Sequence, residues 1–415
     1  MKISRAKLQK SKQVANSHDI AVKFTKNFHK FVTSLGDWFL DRESILEGIF
    51  YAMLCSHHVL IYGPHGTSKT EMMFTIFRAF GSSKRFHTQC TKFMTEDAIF
   101  GIANIKKMQD EGVIEYNTDE MLPEADFAFL DEMMDANDAV LRSLLDILNE
   151  RIFRKGRQFL QCPLHTAVAT TNFYSDSEQR AAVVDRFLIK AQVKPLSGEN
   201  DVRRMLVNSL SKESKEIPVP QFDVEELRAA REVQSRITVP DEVLALLINV
   251  IDAFVVESSN KVYVSDRRKC WLLSLVKAAA LLAGRMEAEP EDLKAMRFGL
   301  AMINSPEEEK WFRNSYRRLV GNYAKTRELR QQLSMAKEAV AKLRRIAEGK
   351  KTPEEKLITA SKKIKSVINT LKQRDTSSDR DCPEVAGEFS AVQTDAEVLL
   401  DHVVQRVAKA MGGAV

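Results

Sequence analysis

The chain has 415 residues, of which 29% are charged and 44% are hydrophobic, and its formal net charge is +5. This length predicts two or three domains, and no apolar run approaches the length of a bilayer span, so the sequence argues against membrane insertion and predicts a cytoplasmic protein. The five cysteines form no C-x-x-C pair, which argues against a disulfide framework and a zinc ribbon.

The first half of the chain combines two kinds of pattern. A polar lead with helical periodicity covers residues 1–43. Between residues 44 and 195, short apolar runs alternate with helical patterns, which predicts an α/β domain with a parallel sheet between helices. The candidate strands are Val59–Tyr62, Phe127–Leu130, Thr166–Thr170 and Phe187–Val193.

A Gly-rich turn follows the first of these strands and precedes a helical pattern. It reads Gly63-Pro64-His65-Gly66-Thr67-Ser68-Lys69-Thr70. Backbone N–H groups and the positive end of the helix dipole would converge there on an anion, so the turn predicts a nucleoside triphosphate site. We expect Lys69 to reach the β- and γ-phosphates and Thr70 to hold Mg²⁺. An ordinary strand–turn–helix connection is the plainer alternative.

The turn departs from the usual phosphate-binding pattern at one position. Ser68 stands where that pattern has Gly directly before the Lys. Because a side chain restricts φ and ψ, we expect this loop to be stiffer than its Gly counterpart, or to bind nucleotide differently.

Two carboxylates end the second candidate strand. Asp131 and Glu132 follow Phe127–Leu130, with Asp131 lying 62 residues after Lys69. In a P-loop fold, an Asp at the tip of a neighbouring strand lies near the Mg²⁺, and a second acid can polarise the attacking water. We therefore expect Asp131 at the metal and Glu132 at the water. Either acid alone would be read as the ordinary end of a strand.

Two stretches within the α/β region have the pattern of β-hairpins. One runs from Ile102 to Tyr116 and turns at Asp110-Glu111-Gly112, and the other runs from Ile152 to Phe159 and turns at Lys155-Gly156. Four basic residues lie in the second hairpin or directly before it, and they would suit phosphates or an acidic protein surface, although a solvated hairpin is equally consistent. These are Arg151, Arg154, Lys155 and Arg157.

Three further polar residues lie at the ends of predicted elements. Asn172 ends the third strand, where its amide can contact a γ-phosphate oxygen and a water, and Arg186 directly precedes the fourth strand. Arg267 lies in the first turn of a long helix that Ser265 would cap. Each residue alone is a weak signal, whereas their order along the chain is informative.

The rest of the chain has helical periodicity. Residues 196–304 predict a small all-α domain. Residues 305–374 contain two helical seams separated by Gly349–Pro353, which predicts an antiparallel hairpin, and residues 375–415 read as a linker and a last helix. Packing within the chain is favoured over dimerisation, because the first seam spans only about two heptads, which is short for an autonomous coiled coil.

The C-terminal part is strongly basic. Between Gly321 and Arg374 there are fifteen Lys or Arg residues and five Glu. A solvated helical face is the plainer interpretation, while an acidic partner and nucleic acid remain alternatives.

The order of the motifs resembles the AAA+ ATPases, and within them the MoxR family, with the RavA type as the most similar branch. The resemblance runs from about Ile45 to about Met302. It is carried by Gly63–Thr70, Thr95–Gly101, Leu122–Ala125, Phe129–Glu132, Leu148–Arg151, Ala169–Asn172, Asp185–Phe187 and Tyr263–Arg268. It implies an α/β P-loop (AAA+) domain followed by an all-α lid domain, and it does not extend to the C-terminal hairpin.

The resemblance also implies a role for each candidate site residue. Lys69 and Thr70 correspond to Walker A, Asp131 and Glu132 to Walker B, Asn172 to sensor 1, Arg186 to the arginine finger and Arg267 to sensor 2. Proteins of this family use ATP and Mg²⁺, form homo-hexameric rings and remodel protein partners like chaperones. A protein with a von Willebrand factor A domain is the typical companion, and the client is not specified by the sequence.

Two other functions compete with this interpretation. A nucleic-acid-processing AAA+ ATPase would use the basic hairpin and the basic C-terminal segment, although no aromatic residues are interleaved there for stacking on bases. A scaffold locked by nucleotide is the third possibility. Glu132 and Arg186 argue against it, since a pure lock needs neither residue.

Overall fold

A computed structural model describes residues 2–155, 158–172, 178–212, 217–349, 353–373 and 383–410. The chain divides into two compact units, Met1–Tyr316 and Arg317–Val415. Within the described ranges, every helix is too short or too polar to span a bilayer.

The first unit is built around a parallel sheet. The strands of the unit are β1 (His58–Tyr62), β2 (Arg85–Gln89), β3 (Phe127–Asp131), β4 (Ile152–Lys155), β5 (Gln158–Gln161), β6 (Thr166–Thr171) and β7 (Phe187–Gln192). Five of them form one sheet in the order β2-β3-β6-β1-β7, and each neighbouring pair is parallel. The predicted parallel sheet is therefore confirmed.

Helices surround this sheet and continue after it. They are α1 (Lys2–Ser34), α2 (Glu43–Cys55), α3 (Lys69–Arg78), α4 (Asp97–Phe100), α5 (Ile105–Glu111), α6 (Asp138–Glu150), α7 (Glu178–Val184), α8 (Glu199–Lys212), α9 (Val224–Ser235), α10 (Asp241–Glu257), α11 (Asp266–Leu282), α12 (Arg297–Leu300) and α13 (Pro306–Tyr316). Short 3₁₀ turns cover Leu35–Asp37, Leu122–Glu124, Met133–Asp135 and Pro290–Met296.

The central strands bring the functional motifs together. All six residues of β6 are buried, and so are the first four of both β1 and β3, because helices cover both faces of the sheet. The strands β3, β6 and β1 are consecutive neighbours, so the loops at their carboxyl ends meet at one edge of the sheet. This edge holds the Gly-rich turn, the paired carboxylates and Asn172.

One strand of the sheet has no counterpart among the predicted strands. β2 is an edge strand in which only Phe86 is fully buried, and its sequence Arg-Phe-His-Thr-Gln contains no apolar run. Hydrogen bonds to β3 already hold β2 in the sheet, so one buried side chain is enough to pack this edge strand against the core. The apolar pattern of such a half-exposed strand is therefore too weak to predict the strand from the sequence.

The two predicted hairpins have different outcomes. The stretch Ile102–Tyr116 is not a hairpin: α5 occupies its centre, and an isolated antiparallel bridge joins Ala103 to Tyr116. The Asn104 side chain caps the helix by accepting from the Lys107 N–H at 3.1 Å, and Gly112 ends it in the left-handed conformation.

The second hairpin is confirmed in its strands. β4 and β5 pair antiparallel from Ile152 with Gln161 to Lys155 with Gln158. The predicted turn residue Gly156 and the basic residue Arg157 lie outside the described residues.

The second unit is a bundle of helices. A π-helical turn, Arg317–Gly321, leads into α14 (Asn322–Glu348), which is followed by α15 (Glu354–Lys372) and α16 (Pro383–Ala410). Leu333, Val340 and Leu343 of α14 share a core with residues of α15, and α16 adds Phe389, Leu399 and Val403 to that core. The two helices of the predicted hairpin thus form a bundle with α16, while the predicted linker lies almost wholly outside the described residues.

Candidate nucleotide-binding site

The Gly-rich turn connects β1 to α3 and has a tightly constrained backbone. A Cβ on Gly63 would lie 2.4 Å from the Val193 carbonyl oxygen, so a side chain does not fit there. Gly66 has φ +73°, in the left-handed region that favours glycine, and a Cβ there would meet nothing within 4 Å. The turn therefore leaves open space around Gly66, which suits the approach of a phosphate to the backbone.

Ser68 adopts the left-handed conformation directly before α3. Its φ is +59° and its ψ is 22°, although it is not glycine. This conformation strains the backbone, since a non-glycine residue in this region costs about 1–2 kcal/mol. Thr67 supports the turn, because its hydroxyl donates to the Pro64 carbonyl at 2.9 Å.

Lys69 is the first residue of α3 and points into the turn. Its side chain is buried, and Nζ donates to the carbonyl oxygens of Gly63, at 2.5 Å, and Pro64, at 2.9 Å. Burial lowers the pKa of the Lys69 ammonium, an effect that Glu132 and Asp131 partly oppose. A desolvated cation held against carbonyl dipoles would be stabilised by an anion bound in the turn.

Asp131 ends β3 beside the start of α3. One of its carboxylate oxygens accepts from the Thr70 hydroxyl at 3.4 Å, and the other accepts from the hydroxyl of Thr170 on β6. No cluster of three or more His, Cys, Asp or Glu side chains that could hold a metal occurs among the described residues. Thr70 and Asp131 could supply two oxygen ligands to Mg²⁺, an ion that usually takes further ligands from phosphates and water.

Glu132 follows Asp131 in the left-handed conformation, with φ +52°. Its N–H donates to the Thr170 hydroxyl at 3.1 Å, which fixes the end of β3 to β6. Its side chain is buried, and burial raises the pKa of the carboxyl, whereas Lys69 and His65 favour the charged form. In the described part of the chain, Oε2 of Glu132 is buried without a hydrogen-bond partner.

His65 bridges Glu132 and Asn172, which the sequence placed on different strands. Nδ1 of His65 lies 3.4 Å from Oε1 of Glu132, and Nε2 lies 2.5 Å from Nδ2 of Asn172. Oδ1 of Asn172 is buried and has no partner among the described residues. Glu132 and Asn172 thus each carry a buried acceptor oxygen without a partner among the described residues, and such an oxygen can accept a hydrogen bond from a water.

Arg186 and Arg267 form a second cluster around Asp185. Nη1 of Arg267 lies 3.4 Å from one oxygen of Asp185, and the Ser265 hydroxyl donates to the other at 3.0 Å. Ser265 caps α11 as predicted, because its hydroxyl accepts from the Arg268 N–H at 3.2 Å. Asp185 thus connects the amino end of α11 to the segment that carries Arg186.

Arg186 forms no ion pair among the described residues, although the Asp185 carboxylate favours its charged form. Nη1 donates to the Ala182 carbonyl at 2.8 Å, while Nε is buried and has no partner among the described residues. Burial lowers the pKa of its guanidinium, and the neighbouring Arg267 adds to that effect. No hydrogen bond or ion pair joins this cluster to Lys69 or Glu132 in the part of the chain that the structure describes.

The sequence did not single out Asp185 as a residue that organises these clusters. Asp185 directly precedes Arg186, but only the fold shows that it contacts α11. His65 belongs to the predicted phosphate turn, but its contact with Glu132 and Asn172 depends on the order of β1, β6 and β3 in the sheet. No local pattern marks that order.

Comparison with known proteins agrees with this geometry. Residues 26–231 match the family model described as the MoxR domain in the MoxR-vWA-beta-propeller ternary systems, and residues 242–310 match an AAA lid domain. A crystal structure of a candidate ATPase from Cytophaga hutchinsonii superposes with a TM-score of 0.59 at 18% identity, over 74% of this chain and 98% of that one. That likeness shows the fold.

Two relatives come from Methanocaldococcus jannaschii. The uncharacterized protein MJ0079 is 30% identical over 268 residues, which covers 65% of this chain and 68% of the relative. The uncharacterized protein MJ0812 is 27% identical over 271 residues, which covers 65% of this chain and 69% of the relative. Together with the phosphate turn, the strand order and the lid, these matches establish that the chain belongs to the MoxR family of AAA+ ATPases.

Proposed function

We propose that the chain binds and hydrolyses ATP with Mg²⁺ at the carboxyl edge of its sheet. Lys69 and the backbone of Gly63–Thr70 bind the phosphates, and Thr70 and Asp131 hold the metal. When bound, Mg²⁺ would supply positive charge that offsets the negative charge of the phosphates. Glu132 and Asn172 orient the attacking water, with Glu132 as its proton acceptor. The supporting observation is the pair of buried, unpartnered oxygens on Glu132 and Asn172.

The test separates phosphate binding from water activation. Lys69→Ala removes the buried cation and is expected to abolish nucleotide binding, measured with a fluorescent ATP analogue. Glu132→Gln keeps the shape and removes the proton acceptor, so binding should persist while turnover falls by about 10²-fold or more. Asp135→Asn, a matched loss of one carboxylate charge three residues after Glu132, is the control and should retain turnover. Near-normal hydrolysis by Glu132→Gln would contradict the assignment.

We further propose that the protein works as a ring-forming motor on protein partners. Family membership supports an ATPase motor, and the matched family model is named for systems that include a vWA protein, which supports such a protein as the partner. Homo-hexamer formation and chaperone-like remodelling rest on the family resemblance. The RavA-like branch rests on the eight motif segments, whereas the name of the family model favours the MoxR-vWA-beta-propeller branch.

The basic hairpin gives little support to the nucleic-acid alternative. Arg151 is largely buried and donates to the carbonyls of Leu148, at 2.6 Å, and Ser56, at 3.0 Å. Lys155 forms an ion pair with Glu96 at 3.0 Å and is 23% exposed. Arg151, directly before the hairpin, and Lys155 within it thus already bind groups of the protein itself, which leaves them less available to a nucleic-acid phosphate.

The partner proposal has its own experiment. Glu132→Gln protein, purified from cells of its source organism in the presence of ATP, is expected to retain a vWA-domain protein, identified by mass spectrometry. Lys69→Ala protein, which is not loaded with nucleotide, is the control for adventitious capture. Recovery of nucleic acid in place of protein would favour the alternative function.

A further inference from the structure

The second unit has a groove between α14 and α15 that α16 does not cover. The groove has a volume of about 630 Å³, and in the described part of the unit its walls contain no acidic side chain and no residue of α16. Leu343 and Val367 contribute apolar surface, and Lys342, Lys356 and Lys363 contribute the charges. It is therefore a basic groove with an apolar floor.

The three lysines are weakly neutralised. All three are exposed, and the only ion pair formed by any of them among the described residues joins Lys342 to Glu338 at 4.0 Å. In that pair the lysine side chain is 77% exposed and the glutamate 71%. Water screens such a pair almost completely. A carboxylate brought to the groove would thus meet lysines that are available to it.

On another side, α14 and α15 already bind a helix, α16, whose residue types indicate what kind of helix this pair accepts. There α16 packs its apolar residues into the core of the bundle and places carboxylates over neighbouring cations. Glu388 lies 2.6 Å from Lys337 of α14, Glu397 lies 3.0 Å from Lys372 of α15, and Asp395 pairs with Arg344. An acidic amphipathic helix is therefore already a partner of the α14–α15 pair.

The groove has the dimensions of a helix-binding surface. Its lining residues recur at intervals of three and four along both helices, from Ala339 to Ile346 on α14 and from Lys356 to Val367 on α15. The longer stripe extends about 16 Å, or roughly three helical turns. Stripes with this spacing on adjacent helices form a seam into which the apolar face of a further helix can pack.

We propose that this groove docks an acidic amphipathic helix of a partner protein. The apolar residues of that helix would cover Leu343 and Val367, and its carboxylates would pair with Lys342, Lys356 and Lys363. A nucleic acid would gain nothing from the apolar floor, and none of the described residues that line the groove is aromatic and could stack on bases. The proposal concerns the second unit and does not depend on ATP hydrolysis in the first.

The test uses the full-length protein and a defined probe. The probe is a fluorescent peptide of about four helical turns with a leucine stripe flanked by glutamates, and its twin carries Gln in place of Glu. We expect anisotropy to show saturable binding of the Glu peptide that weakens with salt. Lys342→Glu/Lys356→Glu/Lys363→Glu should weaken this binding about tenfold or more, because three attractive pairs become repulsive.

A matched triple variant controls for overall charge. Arg345→Glu/Lys362→Glu/Lys365→Glu also changes one residue of α14 and two of α15, all exposed and outside the groove, and should bind within about twofold of the natural protein. Thr359→Phe fills the groove without changing its charge and should also weaken binding. Circular dichroism and ATPase activity of each variant verify that the fold is intact.

Several results would overturn the proposal. The first is the absence of saturable peptide binding, and the second is an equal loss in the two triple variants, which would indicate general charge attraction. Another is an oligonucleotide of similar length that binds more tightly than the peptide and is lost in the groove variant. Self-association of the protein that disappears in the groove variant would assign the groove to a second copy.

Discussion

At the scale of single residues, the strain at Ser68 is a measurable quantity. Its left-handed backbone costs about 1–2 kcal/mol, and a glycine there would avoid this cost but lose about 0.5–1 kcal/mol to chain entropy. We therefore expect Ser68→Gly to leave stability unchanged or raise it by up to about 1.5 kcal/mol. Ser68→Val should lower stability by about 1–2 kcal/mol, because a β-branched residue is still less tolerant of positive φ.

The measurement is the thermal midpoint without nucleotide. Ser82→Gly and Ser82→Val are matched controls, since Ser82 is exposed and does not have positive φ. If Ser68→Val is as stable as the natural protein while Ser82→Val behaves normally, the loop does not hold the left-handed conformation in solution.

The contacts at the site show what sequence spacing could and could not predict. Five site residues lie close together because each is at the carboxyl end of a strand or the amino end of the following helix. The strand pattern in the sequence already predicts these positions. The five are Lys69, Thr70, Asp131, Glu132 and Asn172. The bridging position of His65 is different. It depends on which strands are neighbours and on where one imidazole points, and neither is encoded in local periodicity.

At the scale of elements, the same limit explains the two departures in the fold. The central strands are buried on both faces and therefore appear in the sequence as apolar runs. The edge strand β2 needs only Phe86 inside, so it has no such signal. The segment of α5 has the alternating pattern of a hairpin, but Asn104 caps the amino end of a helix there and a left-handed Gly112 ends it. The two capping residues favour the helix over the hairpin.

A cluster of buried histidines lies near the amino ends of β1 and β6. Burial, with Arg151 and Arg231 nearby, lowers the pKa of His57 and of His165 to about 3, and it lowers the pKa of His58 well below its ordinary value. In the unfolded chain these groups titrate near 6.5. Below that pH the unfolded state takes up protons that the folded state does not accept, so stability falls as the pH falls.

We expect acid to weaken the first unit already between pH 6.5 and 5. Each histidine contributes a slope of about 1.4 kcal/mol per pH unit over the range between its two pKa values. The measurement is the urea midpoint of the first unit from pH 7 to pH 5. His165→Asn should reduce the slope by about one third, and His87→Asn, on the exposed side of β2, is the control. A midpoint that is independent of pH in this range would contradict the prediction.

At the scale of the whole molecule, Arg186 is expected to act on ATP held by a neighbouring subunit. It has no bond to its own phosphate turn and forms no ion pair among the described residues. An arginine finger contributes roughly 10³ to 10⁵ in rate, or about 4 to 7 kcal/mol of transition-state stabilisation. Arg186→Ala should therefore lose turnover and keep nucleotide binding.

Mixing two inactive variants tests this arrangement directly. Arg186→Ala protein has an intact phosphate turn and Lys69→Ala protein has an intact finger, so mixed rings should regain part of the activity. Arg180→Ala, in the helix before Arg186, is the control and should be active alone. Mixed rings that form but stay inactive, or a dilute monomer that hydrolyses ATP at full rate, would show that the finger does not act between subunits.

The two attachments of α11 determine how the lid can move. At its amino end, Ser265 and Arg267 bind Asp185; nearer its middle, Ser274 contacts His57 at 2.8 Å and Gln234 at 2.6 Å. The second contact is part-buried, and Arg267 lies about 10 Å from it along the helix. A tilt of about 10° there would displace Arg267 by about 2 Å, enough to break its ion pair with Asp185. A small rotation of α11 about Ser274 would therefore be enough to separate Arg267 from Asp185.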